Sequence, residues 1–90
     1  MKGKLSNGFK YEVDVDVFND MELIEAIAAS EGDEPLRFVE VVERILGKEQ
    51  KKPLYDSLRN EDGKVTVEAV GEAIDEIMTK VAEDSQGKNS

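Results

Sequence analysis

Apolar and polar positions alternate at the start of the chain. Phe9, Tyr11 and Val13 are separated by Lys10 and Glu12, which places the apolar set on one face of a strand. Asn7-Gly8 just before them is a strong hairpin signal, so residues 4 to 13 read as a β-hairpin. Register selects the turn. A two-residue loop would pair Ser6 with Phe9 and leave Leu5 on the opposite face. A three-residue loop, Ser6-Asn7-Gly8, pairs Leu5 with Phe9 and keeps a single apolar face, with Gly8 in the left-handed conformation. A lone hairpin is unstable in water, so its apolar face must pack on helices.

The period then lengthens to that of a helix. Val15, Val17 and Phe18 lead to Asn19 and Asp20, either of which suits an N-cap, and Asn19 with Glu22 has the capping-box spacing. Leu23, Ile24, Ile27 and Ala28 form the stripe of a first helix that ends at Ser30-Glu31-Gly32, with Gly32 expected in the left-handed region. Asp33-Glu34-Pro35 opens a second, with proline at the first helical position and acids at the positive end of the dipole. Phe38, Val39, Val41, Val42, Ile45 and Leu46 are apolar nearly all round, which predicts a central, heavily buried helix. A strand is the alternative for so valine-rich a run, but length and capping favour the helix, and Gly47 closes it. Residues 48–60 read as a third helix carrying Leu54, Tyr55 and Leu58. Pro53 either lies in its first turn or kinks it. After the loop Asn60-Glu61-Asp62-Gly63, Thr66 caps a last helix with Val67, Val70, Ile74, Ile77, Met78 and Val81 in register. Gly71 within that helix is read as allowing close packing of a neighbour. The expectation is an α+β fold, mostly helical, with the N-terminal β-hairpin packed on about four helices. It places one compact domain over residues 1–83 and a disordered tail over 84–90.

Composition narrows what such a domain does. Among 90 residues there is no cysteine and no histidine, which excludes disulfides, thiolate zinc sites and Ser-His-Asp or Cys-His catalysis. Acidic residues number 21 against 12 basic, a net charge of −9, which repels nucleic acid and anionic membrane surfaces. No apolar run approaches the roughly 20 residues of a membrane span. No hydrophobic stretch near Met1 resembles a signal peptide, so the expected location is the cytosol in which the chain is made.

Three clusters invite chemistry and fall short of it. Asn60-Glu61-Asp62-Gly63-Lys64-Val65 resembles the middle of a calcium loop, but the first and twelfth ligand positions fall on Leu58 and Ala69, which offer no side-chain oxygen. Asp14, Asp16 and Asp20 lack a closing ligand set and read as a solvated strand edge that blocks aggregation. Lys48-Glu49-Gln50-Lys51-Lys52 is too short for a nucleic-acid footprint. No metal or cofactor is expected, and the chain reads as non-enzymatic. Its apolar helices offer more surface than one core face requires. Phe38, Val41, Ile45 and Met78 are therefore candidates for contact with another protein, the alternative being that all four are ordinary core.

Several stretches also resemble one group of small proteins from the tail module of phages and prophages of Gram-positive bacteria. They are Leu5-Ser6-Asn7-Gly8-Phe9-x-Tyr11-Glu12-Val13, Asp20-Met21-Glu22-Leu23, Leu46-Gly47-Lys48-Glu49-Gln50-Lys51-Lys52, Leu54-Tyr55-Asp56-x-Leu58-Arg59-x-Glu61-Asp62-Gly63-Lys64-Val65 and Gly87-Lys88-Asn89-Ser90. Such proteins are similar in size and place to tail assembly chaperones. The resemblance implies a protein that coats the helical tape-measure protein, keeps it soluble and helps recruit the tail-tube protein. Copies of the chain itself are a further partner class. Two other readings compete: a connector that stays in the virion, and an acidic DNA mimic that inhibits a host nuclease.

Overall fold

The computed structural model describes residues 1–88, with side chains described through Asp84. The fold is α+β and mostly helical. Strand β1 (Lys2–Lys4) pairs antiparallel with β2 (Lys10–Glu12), and three helices follow: α1 (Met21–Glu31), α2 (Phe38–Leu58) and α3 (Val67–Lys88). The expected second and third helices run on as one element, so there are three rather than about four, but the backbone leaves helical geometry at Gly47, where the second was expected to close. Residues 89 and 90 lie outside the described residues. The helical backbone of α3 passes residue 83, where a tail was expected to begin, and runs to Lys88.

The hairpin has the register that keeps one apolar face. Lys4 stands opposite Lys10 and Gly3 opposite Tyr11, so Leu5 meets Phe9, whose carbonyl accepts from the Leu5 N–H at 2.8 Å. Gly8 sits at φ 95°, and its N–H returns to the Leu5 carbonyl. The strands reach further toward the N-terminus than residue 4, since the Val13 N–H bonds the Met1 carbonyl. Glycine at position 3 leaves room for the Tyr11 side chain, because a Cβ there would lie 2.4 Å from its Cζ and hydroxyl oxygen. The Tyr11 hydroxyl is buried without a hydrogen-bond partner among the described groups. Burial, and after it the charge of Glu76, pushes its pKa above the ordinary tyrosine value. Helices hold the hairpin at both ends. Glu76 on α3 accepts from the Ser6 N–H and hydroxyl at 2.9 and 3.0 Å. Gln50 on α2 accepts from the Glu12 N–H and donates to its carbonyl, occupying the open edge of β2.

The acids between hairpin and helix work on the backbone. Residues Val15–Asn19 form a 3₁₀ turn, so Asp14, Asp16 and Asp20 do not lie along the strand edge expected of them. Asp14 accepts from the Asp16 N–H, and Asp20, not Asn19, caps α1 through the Glu22 N–H. The α1 stripe is rotated from its expected position. Leu23 and Ala26 are buried, while Ile24 and Ala28 are exposed. Gly32 ends the helix at φ −111°, outside the left-handed region, and a second N–H, that of Glu34, reaches the same Ala29 carbonyl. Pro35 opens a 3₁₀ turn, Pro35–Arg37, that runs into α2.

Inside α2 the backbone breaks at Gly47, with φ 79° and ψ 158°. This region is open essentially to glycine alone, so the break splits α2 into arms 38–46 and 48–58. The first arm buries Val41, Val42, Ile45 and Leu46; Val39 is exposed. The second buries only Leu54, and Pro53 lies exposed in its interior rather than in its first turn. In α3, Thr66 caps as expected through the Ala69 N–H, and Val70, Ala73, Ile74, Ile77 and Val81 enter the core. Val67 does not; it is 77% exposed. Apart from Tyr11, no side chain with a polar or charged group is buried among the described residues.

Ion pairs run along α2. Glu40 accepts from Arg37 at 3.1 Å and Arg44 at 2.7 Å, Arg44 also reaches Asp20 at 3.5 Å, and Lys51 bonds Glu43 across the kink. Hydrogen bonds from Arg37 and Arg44 hold the Glu40 carboxyl below its ordinary 4.5, Lys51 does the same for Glu43, and Arg59 with Lys52 lowers Asp56 from 3.8. A carboxylate with a lowered folded pKa stabilises the fold above its unfolded value and loses that contribution as pH falls through the folded one. The Lys51 ammonium, raised above 10.5 chiefly by its bond to Glu43, behaves oppositely: its contribution is complete below that value and is lost at still higher pH. The melting temperature should therefore be level around neutral pH and fall once pH drops below 4.5. Because these pairs are solvated, the acid-side slope should shrink in about 0.5 M salt, which a pH series of thermal melts at two salt concentrations measures.

Candidate functional site

Where α1 ends, α2 begins and α3 passes between them, the surface opens into an apolar groove of about 270 Å³. Each element contributes for a local reason. The last turn of α1 brings Ile27, Ser30 and Glu31. Pro35 fixes the chain as it turns into α2, which brings Phe38 and Val41 one turn later. From α3 come Val67, Gly71, Ile74, Asp75 and Met78, positions three or four apart that share one helical face. Val41 and Ile74 are buried and form the floor. Phe38, Ile27 and Met78 are half-buried walls, and Glu31 and Asp75 stand exposed at the rim.

Of the four residues singled out for protein contact, Phe38, Val41 and Met78 come together in this groove. Ile45 does not. It is a core residue like Val41, and it lines a different depression, toward the end of the first arm, with Arg44, Leu46 and Gly47. The other groove residues were not singled out, Ile27, Pro35 and Gly71 among them. Gly71 carried the most legible signal, a glycine in mid-helix, but the reason expected for it does not hold. A Cβ placed on Gly71 would meet nothing within 4 Å, so no internal neighbour packs there. Gly71→Ala should therefore raise stability by up to about 1 kcal/mol through helix propensity, a gain of several degrees in a thermal melt.

The depression beside Ile45 is the larger, about 600 Å³, and polar. Glu12, Asp14, Asp16, Asp20 and Arg44 line it. Its charge is largely committed to the fold: Asp14 and Asp20 cap backbone N–H groups, and Asp20 also pairs with Arg44. Among the described residues no three acidic side chains are placed to share a metal ion. In the 60–63 loop, Asn60 Oδ1 accepts from the N–H groups of Asp62 and Lys64, and Gly63 takes φ 79°, which makes it a self-contained turn between α2 and α3.

Outside the groove, other apolar side chains stand in solvent: Leu36 at 88% exposure, Met21 at 68%, and Val39 and Ile24 at about half. Met21, Ile24 and Ala28 are spaced along the outer face of α1, away from Leu23 and Ala26. No described helix is long and apolar enough to cross a membrane. The groove is thus a concave apolar feature of the described surface, and it can receive a side-chain ridge. No protein-family model matches the chain, and no curated protein or solved structure matches it.

Proposed function

We propose that this protein acts without catalysis as an assembly chaperone of the phage tail module, holding a helical stretch of the tape-measure protein until tail-tube subunits take its place. The reading rests on the groove in which Phe38, Val41 and Met78 meet, apolar within and open to solvent. Proteins that hold helices do so by accepting an apolar ridge, spaced i, i+3, i+4 and i+7, into such a groove. The surrounding negative charge keeps a complex with an apolar client in solution. Methionine on one wall suits a holdase, because its unbranched side chain adapts to different ridges. The identity of the client comes from the resemblance of the hairpin, the segment around Gly47 and the 54–65 segment to small tail-module proteins.

Coexpression with the tape-measure protein is the direct test. The client should move from the insoluble to the soluble fraction and copurify with the chain, and the Phe38→Glu and Met78→Glu variants should lose this while keeping a cooperative melt. Unchanged client solubility would sink the proposal. Mass spectrometry of finished particles separates the competing structural role, since a chaperone is absent from them and a connector is present at fixed stoichiometry.

A further inference from the structure

Three features of the groove point to one class of occupant. The first is Gly71. Its backbone is helical, it faces the groove, and a methyl group would fit there without touching anything. The isolated fold would be more stable with alanine, so folding gives no reason for the glycine. A bare backbone in a helix face does have one use, which is to let a second backbone approach closely. The second feature is charge. The ionisable side chains that line the groove, Glu31 and Asp75, are both acidic, and no lysine or arginine is among its lining residues. The third is the charge of the chain itself. Two copies at −9 each repel, and the exposed apolar stripe on α1 is flanked by Glu22 and Glu25. A second copy would therefore bring acid against acid.

We infer that the groove takes a basic amphipathic helix, crossing α3 at Gly71, with its apolar ridge between Phe38 and Met78 and its lysines or arginines against Glu31 and Asp75. This rests on the reading that the groove holds a helix and adds which kind of helix it selects. Close crossing at Gly71 brings the partner's ridge down to the Val41 and Ile74 floor, where its apolar side chains leave water. The rim acids then sit beside the partner's flanks, where opposite charge favours encounter and orientation and like charge opposes both.

The test titrates the full chain with two synthetic helical peptides of about 18 residues. Both carry leucine and alanine at i, i+3, i+4 and i+7, one flanked by lysines and the other by glutamates. The lysine peptide should bind at least about tenfold more tightly, with the difference shrinking as salt is added. The double variant Glu31→Lys, Asp75→Lys should reverse the preference, since both side chains are exposed and make no part of the core. Gly71→Leu, whose Cβ would meet nothing within 4 Å, should keep a cooperative melt and lose the lysine peptide. Equal affinity for the two peptides, or undiminished binding by a folded Gly71→Leu variant, would overturn the inference, as would a dimer in sedimentation that the lysine peptide fails to dissociate. The outcome separates from that of coexpression. A Gly71→Leu chain that still solubilises the tape-measure protein removes this inference and leaves the chaperone reading standing. Peptide selectivity without client rescue does the reverse.

Discussion

Replacing Leu54 with alanine should lower stability by about 2–5 kcal/mol, the range for deleting a fully buried leucine. A domain of this length has of order 5–13 kcal/mol in all. The variant should therefore melt more than about 10 °C below the parent. The size of the effect follows from how little else holds the second arm of α2. Leu54 is 0% exposed and is the arm's one buried side chain, with Tyr55 and Leu58 packed at its edge. Pro53 removes a helical N–H from the same turn, so the arm has less hydrogen bonding of its own to fall back on. The hairpin turn also leans on this arm, through bonds from the Asn7 amide to the carbonyl and hydroxyl of Ser57 at 3.4 Å, and these should loosen with it. Circular dichroism melts measure the loss. A shift of only a few degrees would mean that the arm is held by something other than Leu54.

Gly47→Ala should destabilise by about 1–3 kcal/mol, the range for holding a residue with a side chain in a sparsely populated backbone region. Space is not the reason, because a Cβ at Gly47 would meet nothing within 4 Å. The strain lies in φ 79° combined with ψ 158°. Relief by straightening would swing the second arm away from the hairpin and break the Gln50 bonds to Glu12 and the Lys51 bond to Glu43. The same substitution at Gly71, also free of contacts but helical, has the opposite sign. One chemical change at two glycines thus separates backbone conformation from packing. If Gly47→Ala raised the melting temperature as Gly71→Ala does, the break in α2 would not exist.

The groove was legible in part. Phe38 and Val41 could be singled out because helix two carries apolar residues on more sides than one core face can use, and Met78 as an apolar position on the last helix. Ile45 met the same criterion and lies outside the groove, because a single helix cannot say which neighbour each of its apolar residues will meet. Ile27 and Pro35 join the groove only through the way the chain turns after Glu31. Gly71 was conspicuous in the sequence, and its reason changed from an internal contact to an open face once the surroundings of its Cβ were known.

What the sequence by itself determined is local. Turn chemistry and side-chain alternation set the hairpin register through Leu5 and Phe9, the Thr66 hydroxyl set the start of α3, and the absence of histidine and cysteine narrowed the chemistry open to the chain. These depend on contacts within a few residues, or on composition, and need no knowledge of neighbours. What only the tertiary structure decided is directional. The α1 stripe is rotated to bury Ala26 and expose Ile24, and Val67 stands in solvent beside a groove instead of entering the core. Hydrophobic burial is roughly proportional to area and has no direction of its own. A pattern of apolar residues therefore says that a face will be covered, and only the packing of the other elements says which face, and which is left open.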